Sequence, residues 1–163
     1  MKQGTVSWFV GCHSIIHSVL VVRAWHYLYG RWPQPWELCC IAIHDIGHIG
    51  KQYLDDIEQK NDHWKLGARI ARKLFGERGY LLVAGHCRPS GLSESRLYKP
   101  DKYSWMYEPY WWAWWNAKME PKLRMNFQTI RDAYDWFHKS VRQSIESGEY
   151  RPTHEFYIEG AKK

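Results

Sequence analysis

Cys39-Cys40-Ile41-Ala42-Ile43-His44-Asp45-Ile46-Gly47-His48-Ile49-Gly50 is the stretch on which the fold turns. It opens as an apolar run free of Gly and Pro, and Pro35 stands just ahead of it, suited to the first position of a helix. A helix is therefore expected from about Trp36 to Ile46, broken by Gly47 and Gly50. The polar pair His44-Asp45 closes the run, and neighbours on a helix point about 100° apart. One metal can bind between these two side chains, or the carboxylate can bridge two metals.

Working outward, the pattern stays helical. A first helix is expected from about Thr5 to Tyr29, stopping at Gly30, with Arg31 to Pro35 as a turn. A short helix over Lys51 to Glu58 follows the central stretch. Asn61-Asp62 suits an N-cap for a helix from His63 to Phe75, with Leu66, Ile70 and Leu74 at i+4 spacing as its buried face. Gly76 ends that helix. Tyr80 to Gly85 reads as a strand by periodicity alone and as a helix by its surroundings. Arg88 to Pro100 is loop-like, helices resume over Asp101 to Met119 and Lys122 to Glu146, and the tail after Gly148 is polar and peripheral. Strict apolar–polar alternation is hard to find anywhere, so the expectation is all-α, one domain over residues 1–163.

Composition bounds the partners. With 45% apolar residues the chain can build a globular core. Many of its 11 Trp and 11 Tyr cluster between Tyr103 and Trp115, a run that favours core and helix packing over a base-stacking platform. The net charge of +6 favours anionic, phosphorylated ligands, although charge does not separate a nucleotide from a nucleic acid or a membrane surface. The chain is short for a separate polymer-binding domain, so a small nucleotide is favoured over nucleic acid. Cys12, Cys39, Cys40 and Cys87 form no CxxC pair and suggest no disulfide framework; they read as reduced thiols of a cytoplasmic protein. Val6 to Leu28 is the sole span candidate, and His13, His17, Arg23 and His26 within it argue for a buried helix instead of a membrane span. It also lacks the small-residue cleavage site of a signal peptide.

Nine histidines exceed what composition requires. Five of them, with two aspartates, fall into an interpretable order: His17, His44-Asp45, His48, His63, His86, Asp101. Imidazole and carboxylate together suit iron, manganese, zinc, cobalt or nickel, and the lack of sulfur donors disfavours a closed structural zinc site.

Ile43-His44-Asp45-Ile46-Gly47-His48-Ile49-Gly50 resembles the signature of the HD-domain metal-dependent phosphohydrolases. Asp62-His63-Trp64-Lys65-Leu66-Gly67-Ala68 and Gly85-His86-Cys87-Arg88-Pro89-Ser90-Gly91 are similar to the histidine-bearing elements of the two-metal branch. Pro100-Asp101-Lys102 is similar to its late Asp-Lys element, and His17-Ser18 to its first histidine. The resemblance covers about Cys12 to Tyr103, leaving C-terminal helices over 104–148 and a tail over 149–163.

That resemblance implies an all-α bundle with a central metal site. It implies a first metal on His17, His44, Asp45 and Asp101, and a second on His63 and His86 bridged by Asp45, with manganese, iron, cobalt or nickel as the candidates. The implied activity is hydrolysis of a nucleotide or related small phosphate ester by a metal-bound hydroxide. Asp45 and His48 are the catalytic candidates, His48 in a substrate-phosphate or acid role. Arg88, Lys51 and Lys102 flank the proposed ligands and suit phosphate, Arg88 best because a guanidinium binds phosphate in bidentate fashion. His13, one turn before His17, competes as first ligand; His26 lies further out. His138, His154 and the cysteines are read as structural. The same six-donor pattern also resembles the mixed-valent di-iron oxygenases built on this scaffold, and a non-catalytic nucleotide-binding module is the third reading.

Overall fold

In the computed structural model, which describes residues 15–49, 61–119 and 121–163, helix α1 (Ile15–Tyr29) stops at Gly30 as expected. Gly30 takes φ +64°, a conformation glycine reaches without strain, and its N–H donates to the His26 carbonyl at 2.9 Å. Helix α2 (Pro35–Ile43) begins with its proline in the first turn. The buried Glu37 ties the preceding turn together. It accepts from the Gln34 amide at 2.7 Å and from both arms of Arg31 at 2.7 and 2.8 Å.

Helix α2 ends at Ile43, short of the expected Ile46. The His44 ring bonds back to the Ile41 carbonyl, the backbone leaves helical values at Asp45, and a 3₁₀ turn follows over Ile46–His48. Helix α3 (Trp64–Ala84) is bent where a break was expected, at Gly76 with φ 68° and ψ −155°. Tyr80 to Ala84 is therefore helix and not strand. The expected leucine face is corrected: Leu66 and Leu74 are exposed, and α3 packs on α2 through Gly67, Ala68 and Ala71. A Cβ on Gly67 would run into the Ile43 carbonyl, so closeness of approach, not side-chain bulk, selects the buried face. The expected Asn61-Asp62 cap is also corrected. His63 occupies the cap position without a side-chain capping bond, and Asp62 pairs with Lys65 at 2.6 Å.

The expected helix over Asp101 to Met119 is two helices, α4 (Tyr98–Ser104) and α5 (Tyr110–Met119), with a 3₁₀ turn over Trp105–Tyr107 between them. Pro109 drives Glu108 to an extended ψ of 118°, which no helix can pass. Helix α6 (Ile130–Glu146) starts later than Lys122, where the Thr129 hydroxyl accepts from the Asp132 amide at 3.1 Å. The expected peripheral tail instead holds helix α7 (Thr153–Gly160), which buries Phe156 and Tyr157. The start of the first helix, the break at Gly50 and the helix over 51–58 lie outside the described residues.

The described fold is thus all-α, with no strand. Two apolar cores share it. One gathers Val21, Trp25, Ile41, Ala71, Val83 and Leu97; the other gathers Trp105, Phe137, Val141 and Phe156. Trp105 joins them by stacking on the His17 ring of α1, with centroids 5.0 Å apart. The tryptophan run divides: Trp105 and Trp112 are buried, whereas Trp111, Trp114 and Trp115 are exposed. No described helix is long and apolar enough to cross a membrane.

Candidate metal centre

Six donors from five segments of chain converge on one spot. His17 comes from α1, His44 and Asp45 from the end of α2, His63 from the residue before α3, His86 from the turn after it, and Asp101 from α4. All are buried. Gly47 makes the convergence possible, because a Cβ there would run into the His63 carbonyl. Glycine thus lets the turn carrying Asp45 and His48 lie directly against the backbone that carries His63.

Asp45 divides the donors. Its Oδ2 lies 3.2 Å from His44 Nε2 and 3.6 Å from His17 Nε2, while Asp101 Oδ1 lies 3.0 Å from His17 Nε2 and 3.5 Å from His44 Nε2. Its Oδ1 lies 3.3 Å from His86 Nε2 and 3.4 Å from His63 Nε2, and those two nitrogens are 2.9 Å apart. Donors bound to one ion by bonds of about 2.1 Å stand roughly 3.0 Å apart at right angles and roughly 3.4 Å apart at tetrahedral angles. On the first side the two closest separations, 3.0 and 3.2 Å, fall in that range, and on the second the 3.3 and 3.4 Å from Asp45 Oδ1 do, with the two histidine nitrogens slightly closer at 2.9 Å.

Tautomers reinforce the fit. The Ile41 carbonyl, 2.6 Å from His44 Nδ1, can only accept, so Nδ1 carries the proton. The same holds for His86 Nδ1, 2.5 Å from the Val83 carbonyl. Each ring is locked with Nε2 toward the centre, the support metal-ligating histidines need. His44 Nε2 is buried and meets two carboxylate oxygens without hydrogen-bond geometry to either. Positive charge, a proton or a metal ion, is favoured between that nitrogen and the carboxylates. Burial disfavours the His44 imidazolium, yet Asp45 and Asp101 outweigh it and push the group up to about 10. These buried His/Asp groups can hold a metal ion.

The centre forms the floor of a cleft of about 600 Å³, counting its open mouth. Lys102 lies at its edge with Nζ 2.5 Å from Asp101 Oδ2. Burial works against both charges, but each holds the other: the Asp101 carboxyl is kept well below the usual range, chiefly by the Lys102 ammonium, and Lys102 is raised by Asp101. His48 also lines the cleft, stacked on the His63 ring at 4.2 Å with Nε2 4.0 Å from Asp45 Oδ1. The helical continuation that would have put His48 on the face of His44 is absent; the 3₁₀ turn brings it to the His63 side. Arg88 lines the mouth, half-exposed, donating to the Glu149 carbonyl at 3.0 Å.

Of the expected residues, His13 and Lys51 lie outside the described residues. His26 stacks on Trp32 and His138 sits beside Glu108, neither with the donor group. Sequence reasoning missed Asn61, Trp105, Pro152 and Thr153 as lining residues, and nothing in their local pattern marks them. It also set Cys87 aside, although its sulfur lies within 4.8 Å of donor atoms of His63 and His86. Burial pushes that thiol up to about 12. Compared with known proteins, the chain matches no family model, no curated protein and no solved structure.

Proposed function

We propose that this chain is a metal-dependent phosphohydrolase that cleaves a nucleotide or a related small phosphate ester. The observation that carries the reading is the divided Asp45 carboxylate: one oxygen faces His17, His44 and Asp101 territory, the other His63 and His86, at the floor of an open cleft. The ordered resemblance to HD-domain hydrolases adds to it. His17, His44, Asp45 and Asp101 would hold one ion and Asp45, His63 and His86 a second. Bound divalent metal supplies Lewis acidity and acidifies water to near neutral pKa.

The chain's own groups do the rest. Lys102 keeps one N–H on Asp101 Oδ2 and turns its others to a substrate phosphoryl oxygen. Arg88, at the mouth, binds a second oxygen or a neighbouring phosphate. His48 Nε2, on the cleft wall, gives its proton to the departing oxygen. Trp105 fixes the His17 ring and closes the floor to bulk water.

Turnover of a panel of mono-, di-, tri- and cyclic nucleotides with manganese, cobalt or iron tests this reading. Cleavage that needs metal and vanishes in Asp45→Ala is expected. An intact panel with a fully loaded protein sinks it. Because all six donors converge, a di-iron oxygenase is the second reading; oxygen uptake by iron-loaded protein, without phosphate release, would favour it. Nucleotide binding that survives complete metal removal would favour a non-catalytic module.

A further inference from the structure

Away from the cleft, the second half of α1 and the α4 region share a face that is exposed at Arg23, Tyr27 and Lys99 and half-buried at Tyr103, Tyr107 and Tyr150, which the hydrolase reading does not use. Tyr27 and Tyr103 stack at 5.1 Å and 14°, and Tyr107 stands 5.8 Å from Tyr103. The Arg23 guanidinium lies 4.3 Å from the centre of the Tyr107 ring. Tyr150 continues the group, with the Lys99 ammonium 5.3 Å from its ring.

The exposed charge that α1 and α4 bring to this face is positive, with Glu149 beside Tyr150. Residues 23–31 carry the exposed Arg23, and Arg31 is held by Glu37. Residues 96–107 carry the exposed Arg96 and Lys99; their further cation, Lys102, and their sole acid, Asp101, pair with each other at the cleft. Tyr150 is held in place against its own backbone preference. It sits at φ +49°, while its carbonyl accepts from the Tyr98 hydroxyl at 3.0 Å and its amide donates to the Ser144 carbonyl at 3.2 Å.

We propose that this tyrosine-and-cation face binds single-stranded nucleic acid. Stacked tyrosine rings offer flat π surfaces to unpaired bases, and the interleaved cations follow the phosphates. A lipid surface fits less well, since interfacial anchors insert Trp, Phe or Leu, whereas these rings end in hydroxyls and pack on one another. The inference is independent of the hydrolase reading and is read without turnover.

The test is fluorescence anisotropy of a labelled oligothymidylate of about a dozen nucleotides, long enough to span such a face. It uses the full chain in chelator, so that no cleavage interferes. Binding is expected that weakens steeply with salt. Tyr27→Ala and Tyr107→Ala should each weaken it about tenfold, and Arg23→Gln and Lys99→Gln severalfold. The charge-matched controls Lys139→Gln and Arg142→Gln on α6 should leave it unchanged. Circular dichroism and melting of each variant separate lost binding from lost folding; Tyr27 is 63% exposed, so its loss spares the core. No binding, equal loss in the α6 controls, equal affinity for a duplex, or preference for phosphatidylserine vesicles would each overturn the proposal.

Discussion

His44 and Asp45 are neighbours in sequence whose polar atoms meet again in space, His44 Nε2 standing 3.2 Å from Asp45 Oδ2. The contact exists because the Ile41 carbonyl holds the other ring nitrogen and α2 ends between the two residues. From there the second oxygen of Asp45 is free to face His63 and His86.

Asp45→Ala should therefore empty the whole centre, whereas His86→Ala should spare the group of His17, His44 and Asp101. Metal content after loading and desalting, measured by plasma mass spectrometry, is expected to fall to background in the first variant and to about half in the second. Equal losses in both would show that Asp45 does not divide the donors.

Gly47→Ala should destabilise the fold by about 1–3 kcal/mol, because the new methyl meets the His63 carbonyl and the backbone must shift. Urea unfolding measures it. Gly30→Ala, with open space around it but φ +64°, should lose about 1 kcal/mol and leave metal uptake intact.

Trp105→Ala removes a buried ring that stacks on His17 and meets Phe137 edge-on at 6.0 Å. A loss of about 3–5 kcal/mol is expected. Trp105→Phe should recover most of the stability while still weakening retention of metal at His17, read by competition with a chromophoric chelator.

Much of the candidate donor set was legible through the resemblance carried by the order of its histidines and aspartates. His44-Asp45 ended an apolar run, His63 and His86 followed at helix boundaries, where side chains can turn inward, and Asp101, expected to open a helix, lies inside α4. Gly30, Pro35 and Gly76 acted where local backbone preference said they would. Helix faces were less legible: α3 buries Gly67 and Ala71 instead of Leu66 and Leu74, since a close helix crossing rewards small residues and no single-helix pattern reveals it. Trp105 and Thr153 line the cleft through contacts that exist only after the second core assembles on the first. The break at Glu108-Pro109 was readable in the sequence, and the run of tryptophans masked it.

Metal should stabilise the folded chain, since the donors are gathered only there. At about a hundredfold excess over Kd the gain is about 2.7 kcal/mol. Melting with manganese against melting in chelator measures it, and Asp45→Ala should show no difference between the two.

The thiols should react unequally. Cys39 is exposed, while burial pushes Cys40 up to about 11 and Cys87 up to about 12. A thiolate reacts and a thiol does not, so at pH 8 a maleimide should label Cys39 and leave Cys40 and Cys87 until the chain is unfolded. Peptide mass spectrometry reads the order; prompt labelling of Cys87 in the native protein would contradict its burial.

The start of helix α7 puts Thr153, with Pro152 just before it, in the wall of a cleft whose floor was completed far earlier in the chain, by Asp101. Donor cluster and part of the cleft wall are thus encoded in separate stretches. A side chain changed at Thr153 alters the cleft wall while every donor stays in place, whereas loss of the whole helix would take Phe156 and Tyr157 out of the core that holds Trp105 against His17.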